Sequence, residues 1–293
     1  MVKIKVPATS ANIGVGYDCL GVALDDWASV TFEIIEEGLE IIGCEEAYCN
    51  EENLFYVAFQ TALAYMHENV SGVRICVESD IPYARGLGSS ATCIVAGIVG
   101  ANALFKNPMN KYEIFALATQ LEGHPDNIAP AIFGALCVSF MEEEKPSMIK
   151  YGVKKDLLFV TIIPDYEVST KKAREVLPTT LTYQDAIYQM GRCAALAKAL
   201  EIGNAVILKK ACQDKMQEPY RKKLIKEYDE VERIVKKAEA ITMFISGSGS
   251  TMIALTQEES IAQEIKNNVL EKFPNWEVRN LKATSDGVQS EVL

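Results

Sequence analysis

Apolar and polar residues follow two different periods along the chain, and the change from one to the other predicts the first elements. Residues 2–6 (VKIKV) and 27–35 (WASVTFEII) alternate, which predicts two strands. Apolar residues at helical spacing predict a helix over 53–70, and alternation returns in GVRICVESDIP, which ends at Pro82. A second helix is predicted over 111–121. The apolar end of LEGHPDNIAPAIFGALCVSF predicts a further strand.

The second half of the chain shows the same two patterns. LLFVTIIP predicts a buried strand from residue 158, and AITMFIS, TMIALT and NWEVRNLKAT predict three more. Helices are predicted over 184–200, 204–215, 220–239 and 258–273. Because strands and helices mix without a regular βαβ alternation, the fold class is α+β. The charged stretch KYGVKKD predicts a boundary between a domain at 1–155 and a domain at 156–293.

Composition and charge limit the classes of function. The chain has 293 residues, of which 49% are hydrophobic and 24% charged, as expected of a globular protein that folds. A net charge of -11 without a run of Lys or Arg argues against nucleic acid as a partner. CIVAGIVGANALF, the longest apolar run, is too short to cross a membrane. Eight scattered cysteines without a CxxC pair predict reduced thiols and a cytoplasmic protein.

The segment RGLGSSAT, Arg85–Thr92, joins the predicted strand that ends at Pro82 to the apolar segment CIVAGIVGANALF, which is expected to be a helix. Such a loop presents free backbone N–H groups and the positive end of a helix dipole, which together bind anions, phosphate above all. Gly86 and Gly88 let the backbone approach a ligand closely, while Ser89 and Ser90 can cap the helix or reach a metal or a phosphate oxygen. An ordinary helix cap in a tight turn is the alternative reading.

Two familiar phosphate loops do not account for this segment. The P-loop requires a Gly-Lys pair, and the chain contains none. Gly86, Gly88 and Ala91 match the GxGxxA pattern of dinucleotide-binding proteins. That pattern requires a second strand ending in an acidic residue about 20 residues further on, whereas NPMNKYEIFALATQ predicts a helix. An oxidoreductase is therefore disfavoured.

Two further segments are rich in glycine and serine: PATSANIGVGYD at 7–18 and ISGSGST at 245–251. Together with IPYARGLGSSAT at 81–92, they resemble the three motifs of the kinase superfamily named for galactokinase, homoserine kinase, mevalonate kinase and phosphomevalonate kinase. The resemblance spans nearly the whole chain and, through PATSANIG, GYD and HPDNIAPA, is strongest to its homoserine kinase branch. It implies an N-terminal domain like the second domain of ribosomal protein S5 and a ferredoxin-like C-terminal domain.

The resemblance also implies a nucleotide site for MgATP. Its loop comprises Pro82, Tyr83, Ala84, Arg85, Gly86, Leu87, Gly88, Ser89, Ser90, Ala91 and Thr92. Ser90 and Glu122 match the positions that hold Mg²⁺ in the family, and a hydroxyl and a carboxylate suit this hard cation. Asn53 matches a residue near the adenine, with a helix N-cap as the alternative role.

The acceptor site follows from the same resemblance. Homoserine carries an ammonium, a carboxylate and a hydroxyl, and the family pairs the ammonium with Asp18 and the carboxylate with Arg174 and Arg221. Asn12, His124 and Asn127 supply further polar contacts. Asp126, with Asn127 and Asn12, stands in the catalytic position, and whether Asp126 acts as a general base is left open.

The activity implied is ATP-dependent phosphorylation of L-homoserine to O-phospho-L-homoserine, a step of threonine biosynthesis, by a homodimer. Two alternatives stay open. One is a related kinase acting on a mevalonate, sugar or shikimate alcohol, none of which is an amino acid zwitterion. The other is a non-catalytic nucleotide-binding protein that keeps the fold.

Overall fold

A computed structural model describes all residues, 1–293. The strands are β1 (Val2–Asn12), β2 (Gly16–Ile35), β3 (Gly38–Ile42), β4 (Gly72–Glu78), β5 (Leu136–Glu142), β6 (Lys145–Tyr151), β7 (Leu158–Ile163), β8 (Thr242–Ile245), β9 (Met252–Thr256), β10 (Glu277–Lys282) and β11 (Gln289–Val292). The α-helices are α1 (Leu54–Met66), α2 (Ser89–Leu104), α3 (Lys111–Glu122), α4 (Ile128–Phe133), α5 (Thr170–Glu175), α6 (Tyr183–Ile202), α7 (Ala205–Ala211), α8 (Glu218–Arg221), α9 (Tyr228–Lys237) and α10 (Glu259–Lys272). Short 3-10 helices lie at Glu46–Tyr48 and Lys222–Leu224. No helix combines the length and the apolar character needed to cross a membrane.

The first sheet has seven strands. Its main path runs β11-β1-β2-β4-β3, and β5 pairs with β2 and carries β6 on its other side. The apolar residues of β1, β2 and β4 pack against α1 to α4 in one core, in which the rings of Phe32 and Phe59 stack with centroids 5.5 Å apart. Burial of one sheet face against helices explains why these strands alternate in sequence.

The second sheet is antiparallel, with strand order β10-β7-β9-β8. Counted within this half of the chain, the order is fourth, first, third, second, with α10 between the third and fourth strands. This is the topology of a ferredoxin-like domain, so both the α+β class and the order of strand, strand, helix and strand predicted after residue 240 are confirmed.

An apolar cluster joins the two sheets. Leu20 and Leu24 of β2 meet Phe159 of β7, Leu200 of α6 and Phe244 of β8, all of them fully buried. Buried side chains in protein interiors are close-packed and leave little freedom for relative movement. The loops at the end of this shared core are therefore held at fixed positions against each other.

Several elements differ from the sequence predictions. The helix predicted over 220–239 is interrupted, because Ile225 adopts an extended conformation between the second 3-10 helix and α9. Strands β3, β6 and β11 were not predicted. The residues of β11 are all exposed and mostly polar, so they carry no alternation signal. β11 pairs with β1 and returns the C-terminus to the first sheet; the domain boundary between 155 and 156 stays a prediction.

Candidate active site

A cavity of about 440 Å³ lies where the three glycine-rich and serine-rich segments meet. Most of the residues singled out from the sequence line it: Asn12, Asp18, Asn53, Tyr83, Ala84, Gly86, Gly88, Ser89, Ser90, Glu122, His124, Asp126, Asn127, Arg174 and Arg221. Five predicted nucleotide-loop residues do not: Pro82, Arg85, Leu87, Ala91 and Thr92. The cavity therefore brings together the predicted metal and acceptor residues and about half of the predicted nucleotide loop.

Hydrogen bonds between the three segments fix their geometry. Ser246 Oγ donates to the carbonyl of Gly86, 2.6 Å away, and lies 2.8 Å from Ser10 Oγ. The Asn12 amide donates to the carbonyl of Gly247 at 2.8 Å. Because each of these bonds links residues far apart in the chain, the site exists only in the folded protein.

The glycine-rich loop before α2 offers unpaired donors. The backbone N–H groups from Gly86 to Ala91 find no acceptor in the protein, and no side chain caps the helix. Gly88, with φ +70°, takes the left-handed conformation that glycine favours, and a Cβ there would overlap Thr9 Oγ1. Free amides at the N-terminus of a 16-residue helix form an anion site. This favours the phosphate reading of the loop over an ordinary helix cap.

The loop residues that miss the cavity have other roles. Leu87, Ala91 and Thr92 are buried below the loop, so only their backbone can face a ligand. Arg85 donates from Nη2 to the carbonyl of Asp165 at 3.2 Å, which directs its side chain away from the cavity. Sequence order alone could not separate backbone contacts from side-chain contacts in this loop.

Ser90 and Glu122 form the pair expected to hold a metal. Ser90 Oγ donates to Glu122 Oε2 at 2.6 Å, and both residues line the cavity beside the loop amides. Burial raises the pKa of Glu122, while the bond from Ser90 opposes that rise. No group of three or more His, Cys, Asp or Glu side chains could hold a metal by itself. The pair fits Mg²⁺, which binds through one or two protein oxygens and completes its shell with phosphate and water.

His124, Asp126 and Asn127 lie at the start of α4. Asp126 is 2% exposed, and its Oδ1 accepts from the Asn127 backbone N–H at 2.7 Å and lies 3.1 Å from His124 Nδ1. The bond to Asp126 raises the pKa of His124, although burial opposes the rise. Thr9 Oγ1 donates to Asn127 Oδ1 at 2.7 Å. Asp126 Oδ2 makes no hydrogen bond with the protein and remains available to a ligand.

Asp18 and Arg174 form an ion pair across the cavity. Arg174 Nη1 and Nη2 donate to the two oxygens of Asp18, each at 3.0 Å, and Nη1 also donates to Tyr17 Oη at 2.9 Å. The side chains of Asp18 and Arg174 are 34% and 40% exposed. A pair this accessible to water contributes little to stability, so its charges are available to a ligand.

Arg221 has a different environment. It is 2% exposed, donates from Nε to the carbonyl of Ala173 and from Nη1 to Gln217 Oε1 and the carbonyl of Gly247, and forms no ion pair. Burial lowers the pKa of Arg221. A buried guanidinium that lines a cavity without a carboxylate partner is poised to bind an anionic group.

Two of the predicted asparagines are already engaged. Asn53 caps α1, since its Oδ1 accepts from the Phe55 N–H at 2.9 Å and its Nδ2 donates to the carbonyl of Tyr48. The alternative reading of Asn53 as a helix cap therefore holds, although the residue also lines the cavity. Asn12 Oδ1 accepts from the backbone N–H of Asp18 at 3.0 Å and so supports that residue, whose φ of 53° is rare outside glycine.

Other residues of the cavity were not found from the sequence: Cys44, Tyr48, Glu52, Leu54, Phe55, Cys93, Thr170, Gly247 and Ser248. The rings of Tyr48 and Tyr83, which both line the cavity, lie 6.0 Å apart. Thr170 and Ser248 approach each other to 3.3 Å from different segments. Only Gly247 and Ser248 carried a signal, since they belong to the third motif.

Comparison with known proteins gives consistent matches. The family models for the GHMP kinases N terminal domain and the GHMP kinases C terminal domain match residues 53–135 and 196–275. Homoserine kinase of Clostridium botulinum (strain ATCC 19397 / Type A) is 43% identical over 285 residues, which cover 96% of each chain.

Solved structures agree with these matches. The crystal structure of homoserine kinase from Cytophaga hutchinsonii superposes with a TM-score of 0.86 at 28% identity, covering 99% of this chain and 97% of the other. L. major mevalonate kinase, solved with R-mevalonate, superposes with a TM-score of 0.77 at 14% identity, covering 97% and 96%. The second likeness concerns the fold alone.

Proposed function

This chain belongs to the GHMP kinase family, and we propose that it transfers the γ-phosphoryl group of ATP to the side-chain hydroxyl of L-homoserine. The bond between the γ-phosphorus and the bridging oxygen of ATP breaks, and a bond from phosphorus to the homoserine oxygen forms. The products are ADP and O-phospho-L-homoserine, and the hydroxyl proton is released. The family predicted from the three motifs is thus confirmed, and the reaction belongs to threonine biosynthesis.

The observation that carries the choice of acceptor is the set of charges in the cavity. Asp18 offers a carboxylate to an ammonium, while Arg174 and the unpaired Arg221 offer guanidinium groups to a carboxylate. An amino acid zwitterion satisfies both. Mevalonate has no ammonium, and sugars have neither charge, so these acceptors would leave Asp18 or Arg221 without a partner.

The loop before α2 supports the proposal that ATP is the phosphate donor. The free amides from Gly86 to Ala91 and the N-terminus of α2 are aimed at the position we propose for the phosphates of ATP. Ser90 and Glu122 would hold Mg²⁺, which when bound neutralises charge on the phosphate oxygens. Transfer of this kind depends mainly on alignment and on stabilising charge, and no covalent intermediate with the protein is required.

Phosphoryl transfer requires a group that accepts the proton of the acceptor hydroxyl. Asp126 Oδ2 is free of protein contacts, while Oδ1 is fixed by the Asn127 N–H and by His124. We assign Asp126 as the proton acceptor and Asn127 as the side chain that orients the hydroxyl beside it. Asn12 contributes by supporting Asp18. The homodimer implied by the resemblance and the cytoplasmic location expected from the cysteines stay predictions.

The proposal is tested by ADP release with MgATP and a panel of alcohols: L-homoserine, L-threonine, L-serine, mevalonate, shikimate and galactose. A reaction without an acceptor gives the background hydrolysis. Turnover with L-homoserine well above all others is the expected result. Turnover with another alcohol alone would assign the chain to a different kinase of the family, and ATP binding without phosphate transfer would indicate a non-catalytic protein.

A further inference from the structure

The two guanidinium groups of the acceptor site share one neighbour. Tyr17 precedes Asp18 at the start of β2, is half-buried and does not itself line the cavity. Its hydroxyl accepts from Arg174 Nη1 at 2.9 Å. Its ring faces the guanidinium carbons of Arg221 and Arg174 at 4.9 Å and 5.8 Å from the ring centroid. Both distances are within the range of a cation–π attraction.

Arg221 depends on this ring more than Arg174 does. Arg174 has the Asp18 carboxylate as its hydrogen-bonded counter-charge, whereas the hydrogen-bond acceptors of the buried Arg221 are all neutral, namely two carbonyls and the Gln217 amide. The π face of Tyr17 supplies negative electrostatic potential to a cation that has left water. The Nε and Nη1 atoms of Arg221 are engaged, and Nη2 has no acceptor in the protein.

Arg174 depends on the hydroxyl once a substrate is bound. Arg174 and the ammonium of a substrate compete for the same two oxygens of Asp18. When the ammonium of a zwitterion takes over the Asp18 oxygens, the bond from Nη1 to Tyr17 Oη is the side-chain contact that still holds Arg174. The side chain then keeps a defined direction rather than moving into solvent, where a flexible arginine loses binding energy to conformational entropy.

We infer that Tyr17 is a positioning residue for the acceptor carboxylate, holding Arg174 through its hydroxyl and Arg221 through its ring so that both guanidinium groups converge on one anion. This inference rests on the proposed function. Tyr17 then contributes to recognition of the substrate carboxylate and does not act on the substrate hydroxyl or the nucleotide. The loss of Tyr17 contacts should therefore act on KM and not on kcat.

The test compares two ligands of the full-length enzyme. One is L-homoserine, and the other is 3-amino-1-propanol (aminopropanol below), which has the same hydroxyl and ammonium but no carboxylate. KM is measured for the first, and the inhibition constant against L-homoserine is measured for the second. Tyr17→Phe removes the hydroxyl and keeps the ring, whereas Tyr17→Leu removes both. Tyr188→Phe is the control, because Tyr188 also lies under two cations, Arg192 and Lys215, but outside the cavity.

We expect Tyr17→Phe to raise the KM for L-homoserine about 3- to 10-fold, with kcat and the inhibition constant of aminopropanol unchanged. Tyr17→Leu should raise that KM further, and Tyr188→Phe should match the wild type. An unchanged KM in Tyr17→Phe, or equal losses for both ligands, would overturn the inference while the proposed function stands. Absence of homoserine turnover in the wild type would overturn both. If Tyr17→Leu does not fold, Tyr17→Phe decides the question alone.

Discussion

Arg174 and Asp18 face each other through two parallel hydrogen bonds of 3.0 Å each, although 156 residues separate them in the chain. The pair connects α5, in the C-terminal half, to the start of β2 in the first sheet. With its side chains 34% and 40% exposed, it is open to exchange with a ligand. A zwitterion can replace each partner with a charge of the same sign, so binding need not leave either side chain unpaired.

The first prediction concerns the ammonium. Asp18→Asn should lower kcat/KM for L-homoserine about 100-fold, because a charge-assisted contact to the substrate is lost. With γ-hydroxybutyrate, which lacks the ammonium, the kcat/KM of the variant should equal that of the wild type within about threefold. Asp229→Asn is the control, since Asp229 pairs with Lys222 on the surface away from the cavity. Equal losses with both acceptors would remove Asp18 from ammonium recognition.

The second prediction concerns the metal. Glu122→Gln keeps an acceptor for Ser90 but removes the charge, so the Mg²⁺ concentration for half-maximal activity should rise about tenfold or more. Because burial already raises the pKa of Glu122, the variant should not lose folding stability. The exposed Glu68→Gln serves as the comparison. A Mg²⁺ titration that matches the wild type would exclude Glu122 from the metal site.

The third prediction concerns proton transfer. Asp126→Asn retains an oxygen for the Asn127 N–H and for His124, so the start of α4 should keep its geometry. If Oδ2 accepts the hydroxyl proton, kcat should fall about 100-fold or more, with little change in KM. Steady-state kinetics at saturating MgATP measures both constants. A decrease in kcat of less than about tenfold would exclude Asp126 as the proton acceptor.

The fourth prediction concerns the pH dependence of stability. Burial raises the pKa of Glu218 to about 8, although its carboxylate accepts from the Ile245 N–H at 2.6 Å. The folded protein binds this proton more tightly than the unfolded chain does. The contribution of protonated Glu218 to folding stability is therefore complete below pH about 4.5 and is lost as the pH rises through about 8.

Urea unfolding at pH 5 and pH 8.5 measures this effect. The wild type should lose unfolding free energy of order a few kcal/mol from this group between the two values, and Glu218→Gln should lose clearly less. Glu271→Gln, an exposed control, should keep the wild-type difference. An unchanged pH dependence in Glu218→Gln would show that Glu218 ionises normally.

Local sequence patterns predicted the elements with a strong apolar period and missed the others. Strands β1, β2, β4 and β7 bury one or both faces, so alternation or a continuous apolar run marks them. β11 is exposed along its whole length, and only its pairing with β1 defines it. Edge strands of this kind depend on tertiary contacts that no local pattern contains.

The residues of the functional site also fall into two groups, those with a local sequence signal and those without one. The glycines and serines of the nucleotide loop carried a local physical signal, because positive φ and free amides have a residue signature. Arg221 carried none: EPYR alone suggests a surface charge, yet the side chain is 2% exposed. Its role was predicted only through the resemblance to a family. The contact of Arg221 with the Tyr17 ring joins distant segments and appears only in the folded structure.

Phosphorus NMR of the product formed from MgATP and L-homoserine tests the proposed phosphorylation most directly. We expect one new phosphate monoester signal, split by the two protons of the side-chain CH₂ next to oxygen and formed in equal amount to ADP. ATP consumed with only inorganic phosphate as the other product, or a phosphate on the carboxylate without that splitting, would contradict phosphorylation of the homoserine hydroxyl.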